Sequence, residues 1–298
     1  MLQLMQQSSV EMGLASPGFV ATNQATDVVQ TLALLNAVGY ELQREHEWTA
    51  LRKQNLFESP YYQYTGDTTS GSTSITNASS IASLTSNFMV VGSGIPQDTF
   101  VSSASGTTIV LNQEATATAS TQTFTFSQVL YPPPSDYDRI VDRTQWDKSK
   151  HWEQLGPETA QQAGWLKSGW ISTGPRIRWW LQQSKYVIWP PLGANEVLSY
   201  DYISNLWVTA SGQSAPNKTA FTVDTDVCVF PDRLMVLGTK LKYFQIKGFD
   251  TSSLQRDYMM QLNIAKSYDN GSALLSFAPK QSSVLIGWDN IPDSGYGA

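Results

Sequence analysis

The alternation of apolar and polar positions predicts strands in the second half of the chain. Two apolar runs, residues 186–189 and 197–202, flank the sequence Pro-Pro-Leu-Gly-Ala-Asn. β-Branched and aromatic residues favour strands, whereas proline and glycine favour the bend between them. The pattern predicts a β-hairpin over residues 185–208. A further run, residues 175–181, is expected to pair with its first arm through a short turn.

Helical periodicity occurs on both sides of this β region. Residues 21–57 carry apolar side chains three and four positions apart, and Gly39 is expected to divide them into two helices. Pro231 suits the first turn of a helix that extends to about residue 247. A last helix is predicted over residues 251–268. Its apolar stripe consists of Leu254, Tyr258, Leu262 and Ala265.

A polar segment separates the first helical region from the strands. In residues 66–126, 25 of 61 positions are Ser or Thr, and few are charged. Disorder is one interpretation of such a composition. The segment also contains regular short apolar clusters bounded by Gly, Asn or Ser, which is typical of a small β-sandwich. We expect the β structure. The charged residues of the segment are Asp67, Asp98 and Glu114.

These patterns predict an α+β fold with an insertion. Residues 1–65 and 127–278 form a core of bundled helices and antiparallel β-hairpins. Residues 66–126 form an inserted, sandwich-like all-β module. Residues 279–298 form an extended C-terminal arm. An insertion at an exposed hairpin tip is tolerated because the entropy of loop closure grows slowly with loop length.

Composition excludes several classes of protein. Apolar residues make up 41% of the chain and include ten tryptophans, which is sufficient for a buried core. The net charge of −6 does not favour sequence-independent adhesion to nucleic acid. The single cysteine, Cys228, excludes an internal disulfide and a cysteine-cluster metal site, so it is expected to be a small buried hydrophobe. We expect neither a secretion signal nor a membrane span.

Candidate catalytic groups are few. The carboxylate pairs Asp224 with Asp226 and Glu153 with Glu158 have the residue types that a glycosidase uses. Asp224 and Asp226, however, precede a predicted helix, where carboxylates form turns and stabilise exposed N–H groups. The two histidines lie in different elements and lack a second ligand at metal spacing. We therefore expect no enzyme activity, no metal and no cofactor.

Large aromatic side chains and arginines indicate interfaces between proteins. Tyr, Trp and Arg are the residue types that most often anchor such contacts. One strand places arginines and a tryptophan on the same face, and the C-terminal arm carries an apolar cluster beyond the last predicted helix. The predicted partner-interface residues are Arg176, Arg178, Trp180, Leu285, Ile286 and Trp288.

The order of these elements resembles a known family. A strand, a Trp-Pro-Pro turn and a strand ending in Tyr200-Asp201-Tyr202 are followed by Trp207, a polar loop and a helix opening with Phe230-Pro231-Asp232-Arg233. The phrase at residues 134–139, Pro-Ser-Asp-Tyr-Asp-Arg, belongs to the same pattern. The chain resembles head-to-tail adaptor (connector) proteins of tailed bacteriophages, especially short-tailed ones. The resemblance covers residues 21–65 and 128–278. The polar segment also resembles an all-β module of phage tail proteins.

The resemblance implies a structural role in a virion. Such adaptors form a closed ring, of about twelve copies, beneath the portal protein and above the tail nozzle or tube. DNA only passes through the lumen, and no membrane is involved. The inserted module would contact tail fibres or the capsid. The expected location is the head–tail junction of the virion, with the host cytoplasm as the site of assembly.

Two other functions remain open from the sequence. The first is a glycan-binding protein of the tail or fibre, with the Ser/Thr-rich module as the binding part. A sugar site needs exposed aromatic rings on that module, and its phenylalanines lie in apolar strand patterns instead. The second is a peptidoglycan hydrolase that uses a carboxylate pair.

Overall fold

A computed structural model describes residues 1–167 and 177–269 of the protein. These residues form an α+β fold, which confirms the fold class predicted from the sequence. A short 3-10 helix, Thr49–Leu51, follows the second helix. The α-helices are α1 Leu2–Glu11, α2 Thr26–Glu45, α3 Ala160–Lys167, α4 Asp232–Lys247 and α5 Ser252–Asp269.

The strands form antiparallel sheets. In chain order they are β1 Arg52–Glu58, β2 Tyr61–Thr68, β3 Ser74–Thr76, β4 Phe88–Val91, β5 Val101–Ser105, β6 Thr108–Leu111, β7 Ala119–Gln128, β8 Leu130–Tyr131, β9 Tyr137–Ile140, β10 Trp146–Asp147, β11 Trp152–Glu153, β12 Arg178–Gln182, β13 Lys185–Trp189, β14 Val197–Ser204, β15 Val208–Thr209 and β16 Val227–Cys228.

Helices α1, α2, α4 and α5 pack around one apolar core with Trp207 near its centre. Gly39 does not divide α2, which continues to Glu45, so the predicted break at this glycine is wrong. The glycine is needed for packing instead. A Cβ atom at Gly39 would lie 2.1 Å from the Trp207 ring. The helical prediction for residues 52–57 is also wrong, because these residues belong to β1.

We expect Gly39→Ala to destabilise the protein by about 1–2 kcal/mol. Overpacking a buried ring costs about 1–3 kcal/mol, and the better helix propensity of alanine returns up to about 1 kcal/mol. Gly164→Ala in α3 is the matched control, because nothing lies within 4 Å of its added Cβ. The control should be neutral or slightly stabilising. Urea-induced unfolding of both variants checks the prediction, and equal effects would contradict it.

The Ser/Thr-rich segment is folded as strands. Its six-stranded sheet has the order β4-β7-β2-β3-β6-β5, and a bridge between Met89 and Phe100 joins its two ends. Phe124 and Phe126 of β7 are fully buried in the core of this sheet. The outermost pair of β2 with β7, Tyr61 with Ser127, lies just outside the predicted limits of residues 66–126. We call residues 61–128 the β module.

The predicted hairpin over residues 185–208 contains the right strands with the wrong pairing. β13 pairs with β12 and β8, whereas β14 pairs with β1, β9 and β10. The two strands lie in different sheets that face each other across a shared core. The rings of Tyr186 and Tyr200 meet there at 4.9 Å. Pro190 and Pro191 lack the N–H groups that a continuous ladder needs, so the chain crosses from one sheet to the other.

Asp136 joins several of these strands through its side chain. Its carboxylate accepts hydrogen bonds from Lys53 Nζ (2.6 Å), Tyr202 Oη (2.9 Å) and Ser204 Oγ (2.9 Å). Burial raises the pKa of the Asp136 carboxyl, but the hydrogen bonds from these three side chains outweigh burial, and its pKa lies below the ordinary value. The phrase at residues 134–139 therefore has a physical role, because its aspartate connects β1 with β14.

Candidate partner interface

The carboxylates considered for catalysis hold the backbone in place. Asp226 is fully buried and accepts hydrogen bonds from Lys218 Nζ (2.9 Å) and from the backbone N–H groups of Thr222 (2.8 Å) and Val223 (2.9 Å). Asp224 accepts from the backbone N–H of Ala21 at 2.8 Å. These partners are backbone N–H groups and one lysine of the same chain, in agreement with the turn-forming role expected for the two aspartates.

The pKa of Asp226 makes the stability of the fold depend on pH. Burial raises its pKa, but hydrogen bonds from Thr222, Lys218 and Val223 outweigh burial, so the pKa lies below the ordinary value of 3.8. A carboxyl whose pKa is lower in the folded state than in the unfolded state stabilises the fold above the unfolded-state value. This contribution is lost as the pH falls through the folded-state pKa.

We expect Asp226→Asn to lower the free energy of unfolding at pH 7 by about 3 kcal/mol. This is the low end for breaking a buried ion pair, because Lys218 stays partly exposed. The variant should also lose less stability than the unchanged protein between pH 6 and pH 3. Urea titrations across this range measure both effects. An identical pH dependence in the two proteins would contradict the assignment.

Glu158 of the second pair of carboxylates is also paired within the chain. Glu158 forms an ion pair with Arg178, and Glu153 lies in β11. Arg178 is one of the predicted interface residues, and its charge is therefore compensated within the chain. Its side chain remains 38% exposed.

Trp180, another predicted interface residue, belongs to the core. Successive residues of a strand face opposite sides, so Trp179 and Trp180 enter the two cores that cover the sheet of β8, β12 and β13. Both indoles are almost completely buried. Trp180 packs with Ala163 and Leu166 of α3. Further predicted interface residues lie outside the described residues: Arg176, Leu285, Ile286 and Trp288.

Helix α5 exposes an apolar stripe that the sequence analysis missed. Met260, Ile264 and Tyr268 are four residues apart and therefore lie on one side of the helix. They are 55%, 39% and 84% exposed. The predicted stripe faces inward, with Leu262 and Ala265 buried. We call Met260, Ile264 and Tyr268 the outer face of α5. The spacing of four is present in the sequence, but the sequence analysis assigned only the stripe of Leu254, Tyr258, Leu262 and Ala265, which faces inward.

The turn between α4 and α5 also exposes apolar side chains. Gly248 ends α4 in the left-handed conformation (φ +76°) that favours glycine. Ile246, two residues before this glycine, and Phe249, directly after it, are exposed. Exposed apolar surface of this kind, together with Met259 on α5, is typical of sites where proteins contact one another.

A groove lies beside the outer face of α5. Trp48 and Phe230 form one wall, with ring centroids 5.5 Å apart, and Ile264 and Tyr268 form the other. Leu234 lies between them, and the cavity has a volume of about 340 Å³. We call this cavity the α5 groove. Its complete lining is Trp48, Ala50, Val229, Phe230, Pro231, Leu234, Gln261, Ile264, Ala265, Tyr268 and Asp269.

A second cavity, of about 510 Å³, is lined by residues of both the β module and the segment around β13, and beside it Met89 packs in one core cluster with Trp180 and Trp189. Tyr61 and Met89 line it on the module side, and Trp189 lines it on the sheet side. Lys167 and Asp98 form an ion pair at 3.2 Å among its lining residues. The remainder of its lining is mostly apolar.

No protein-family model matches the chain, and no curated protein matches it. Among the helices of residues 1–167 and 177–269, none is long and apolar enough to cross a membrane. Over the part of the chain that the structure describes, no cluster of three or more His, Cys, Asp or Glu residues is placed to hold a metal ion.

Proposed function

We propose that the protein is a structural component of a phage virion, a head-to-tail adaptor that forms a ring between the portal protein and the tail nozzle or tube. The observation that carries this proposal is the outer face of α5. Met260, Ile264 and Tyr268 are turned to solvent on a well-formed helix, which is costly unless another protein covers them.

A ring requires two different surfaces on each subunit. In a heterologous contact, one patch of a copy meets another patch of the next copy, and the chain of contacts closes when the rotation per subunit fits. The outer face of α5 supplies one such patch, and the exposed Ile246 and Phe249 at the turn between α4 and α5 are candidates for another. The module lies apart from the helical core, so it is free to contact capsid or tail fibres. DNA crosses the lumen without being bound.

The buried acids support a structural role over hydrolysis. Asp226 bonds to Lys218 and backbone N–H groups, and Glu158 bonds to Arg178. A glycosidase instead needs two carboxyl groups facing one substrate. On the β module, Phe88, Phe124 and Phe126 are buried and Phe100 is partly buried, so these rings do not form an exposed platform for a sugar.

The predicted arm, residues 279–298, supplies the remaining contact in this proposal. This contact is implied by the resemblance to adaptor proteins, and the arm lies outside the described residues. In the assembled particle it reaches a neighbouring protein and adds a strand or an apolar anchor there.

Mixing the purified protein with the portal protein of the same phage tests the proposal. Native mass spectrometry and electron microscopy should show a closed ring of this chain seated on the portal. The protein alone serves as the control for self-assembly without a template. A chain that stays monomeric in the presence of its portal, at concentrations well above those of assembly, would overturn the proposal.

A further inference from the structure

The α5 groove is an apolar cavity with an open side. Its floor includes the buried residues Leu234 and Ala265, whereas Ile264 and Tyr268 on its wall are exposed. Apolar lining of this kind favours an apolar occupant, because covering it removes hydrocarbon surface from water. Its volume of about 340 Å³ is at the small end of ligand sites and suits one or two large side chains.

The chain itself leaves the described structure at this groove. Asp269, the last described residue, is one of the residues that line it. Residues 284–288 read Val-Leu-Ile-Gly-Trp and carry no charge. The intervening residues 270–283 can span at most about 50 Å when extended, which is enough to bring the apolar segment back to the groove.

We propose that residues 284–288 of the same chain occupy the α5 groove in the unassembled protein. Trp288 and Leu285 supply the large apolar side chains, and an indole N–H requires an acceptor when it is buried. Gln261 lines the groove and has a side-chain oxygen that can accept such a bond, whereas the carboxylate of Asp269 already accepts from the backbone N–H and the hydroxyl of Thr49. A tether of this length gives the segment an effective concentration near millimolar at its own groove, so the segment of the same chain has an advantage over that of another copy.

This inference goes beyond the adaptor function and does not depend on it. If both hold, the apolar arm is stored on its own subunit until assembly offers it a neighbour. The outer face of α5 adjoins the groove through Ile264 and Tyr268, so a partner that covers this face also changes the wall against which the segment packs.

Disulfide trapping in the full-length chain tests the inference. Cys228 is first replaced by alanine, which removes the native thiol, whose pKa burial raises to about 11. Ala50→Cys, at an exposed position of the groove, is combined with Gly287→Cys, which leaves Leu285, Ile286 and Trp288 intact. At low protein concentration, an oxidant should produce an intrachain disulfide, detected by non-reducing electrophoresis and peptide mass mapping.

A matched pair sets the reference rate. Ser103→Cys with Gly287→Cys uses the same tail thiol and an exposed position on β5, a strand of the β module that does not line the groove. The groove pair should close at least about tenfold faster than this reference. Adding Trp288→Ser to the groove pair should bring its rate down to the reference. Equal rates for the two pairs, a disulfide-linked dimer as the main product, or no effect of Trp288→Ser would each overturn the inference.

Discussion

Replacing Trp207 by alanine is expected to lower the free energy of unfolding by about 3–5 kcal/mol. Trp207 is fully buried in the helical core, and its ring meets Phe221 at 5.2 Å and Phe230 at 5.8 Å. Gly39 packs directly against it. Removing the indole leaves a large cavity among elements that are distant in sequence. Equilibrium unfolding in urea, followed by circular dichroism, measures the loss.

The reference for this prediction is Phe19→Ala. Phe19 is 53% exposed, so removing its ring creates no internal cavity, and the change in stability should stay within about 0.5 kcal/mol. Trp207→Phe should fall between the two, because it keeps one aromatic ring in the core. A Trp207→Ala variant as stable as Phe19→Ala would show that the helices do not share the core described above.

Introducing charge on the outer face of α5 is expected to abolish assembly. The double variant Met260→Glu, Ile264→Glu places two carboxylates four residues apart on the face proposed to contact a neighbouring copy. Both positions are exposed, so the folded chain keeps them in water at little cost. In a closed interface they would be desolvated without partners, which costs several kcal/mol per ion. Ring formation on the portal should fall below detection in native mass spectrometry.

The control for the assembly variant lies on the same helix. Ser253→Glu adds a carboxylate at an exposed position near the start of α5, away from the outer face, and its ring formation should match that of the unchanged protein. Unfolding curves of all the variants should coincide within about 0.5 kcal/mol. If the double variant folds normally and still forms rings, α5 does not carry the contact.

The last two helices were predictable because their signals are local. Pro231 lies at the N-cap of α4, one residue before the first turn predicted for it, and Gly248 follows the last residue of the helix, as helix-stop preferences require. The inward stripe of α5 repeats at helical spacing and is buried as expected at Leu262 and Ala265. Such features depend on residues within a few turns of one another, so a single sequence contains them.

Strand pairing and the role of Gly39 depend on distant residues. β13 and β14 are adjacent in sequence, yet β14 pairs with β1, whose residues precede it by more than a hundred positions. Glycine has a low helix propensity, but Gly39 lies within α2 because the ring of Trp207, from another part of the chain, leaves no room for a Cβ atom there. Neither contact has a local signature, and tertiary packing overrides propensity in both cases.

The candidate surface was only partly predictable for a similar reason. The sequence does not show whether a tryptophan is exposed or buried. The prediction that Trp180 contacts a partner therefore misses that α3 covers it. The outer face of α5 follows a visible spacing, but only the packing of α4 against the other side of the helix shows that it faces solvent.

A cryo-electron microscopy map of the intact particle tests the central claim most directly. The account predicts a closed ring of this chain between portal and tail, with the outer face of α5 against a neighbouring subunit and an open lumen for DNA. A map in which this chain is absent from the head–tail junction, or in which Met260, Ile264 and Tyr268 of every copy face solvent, would contradict it.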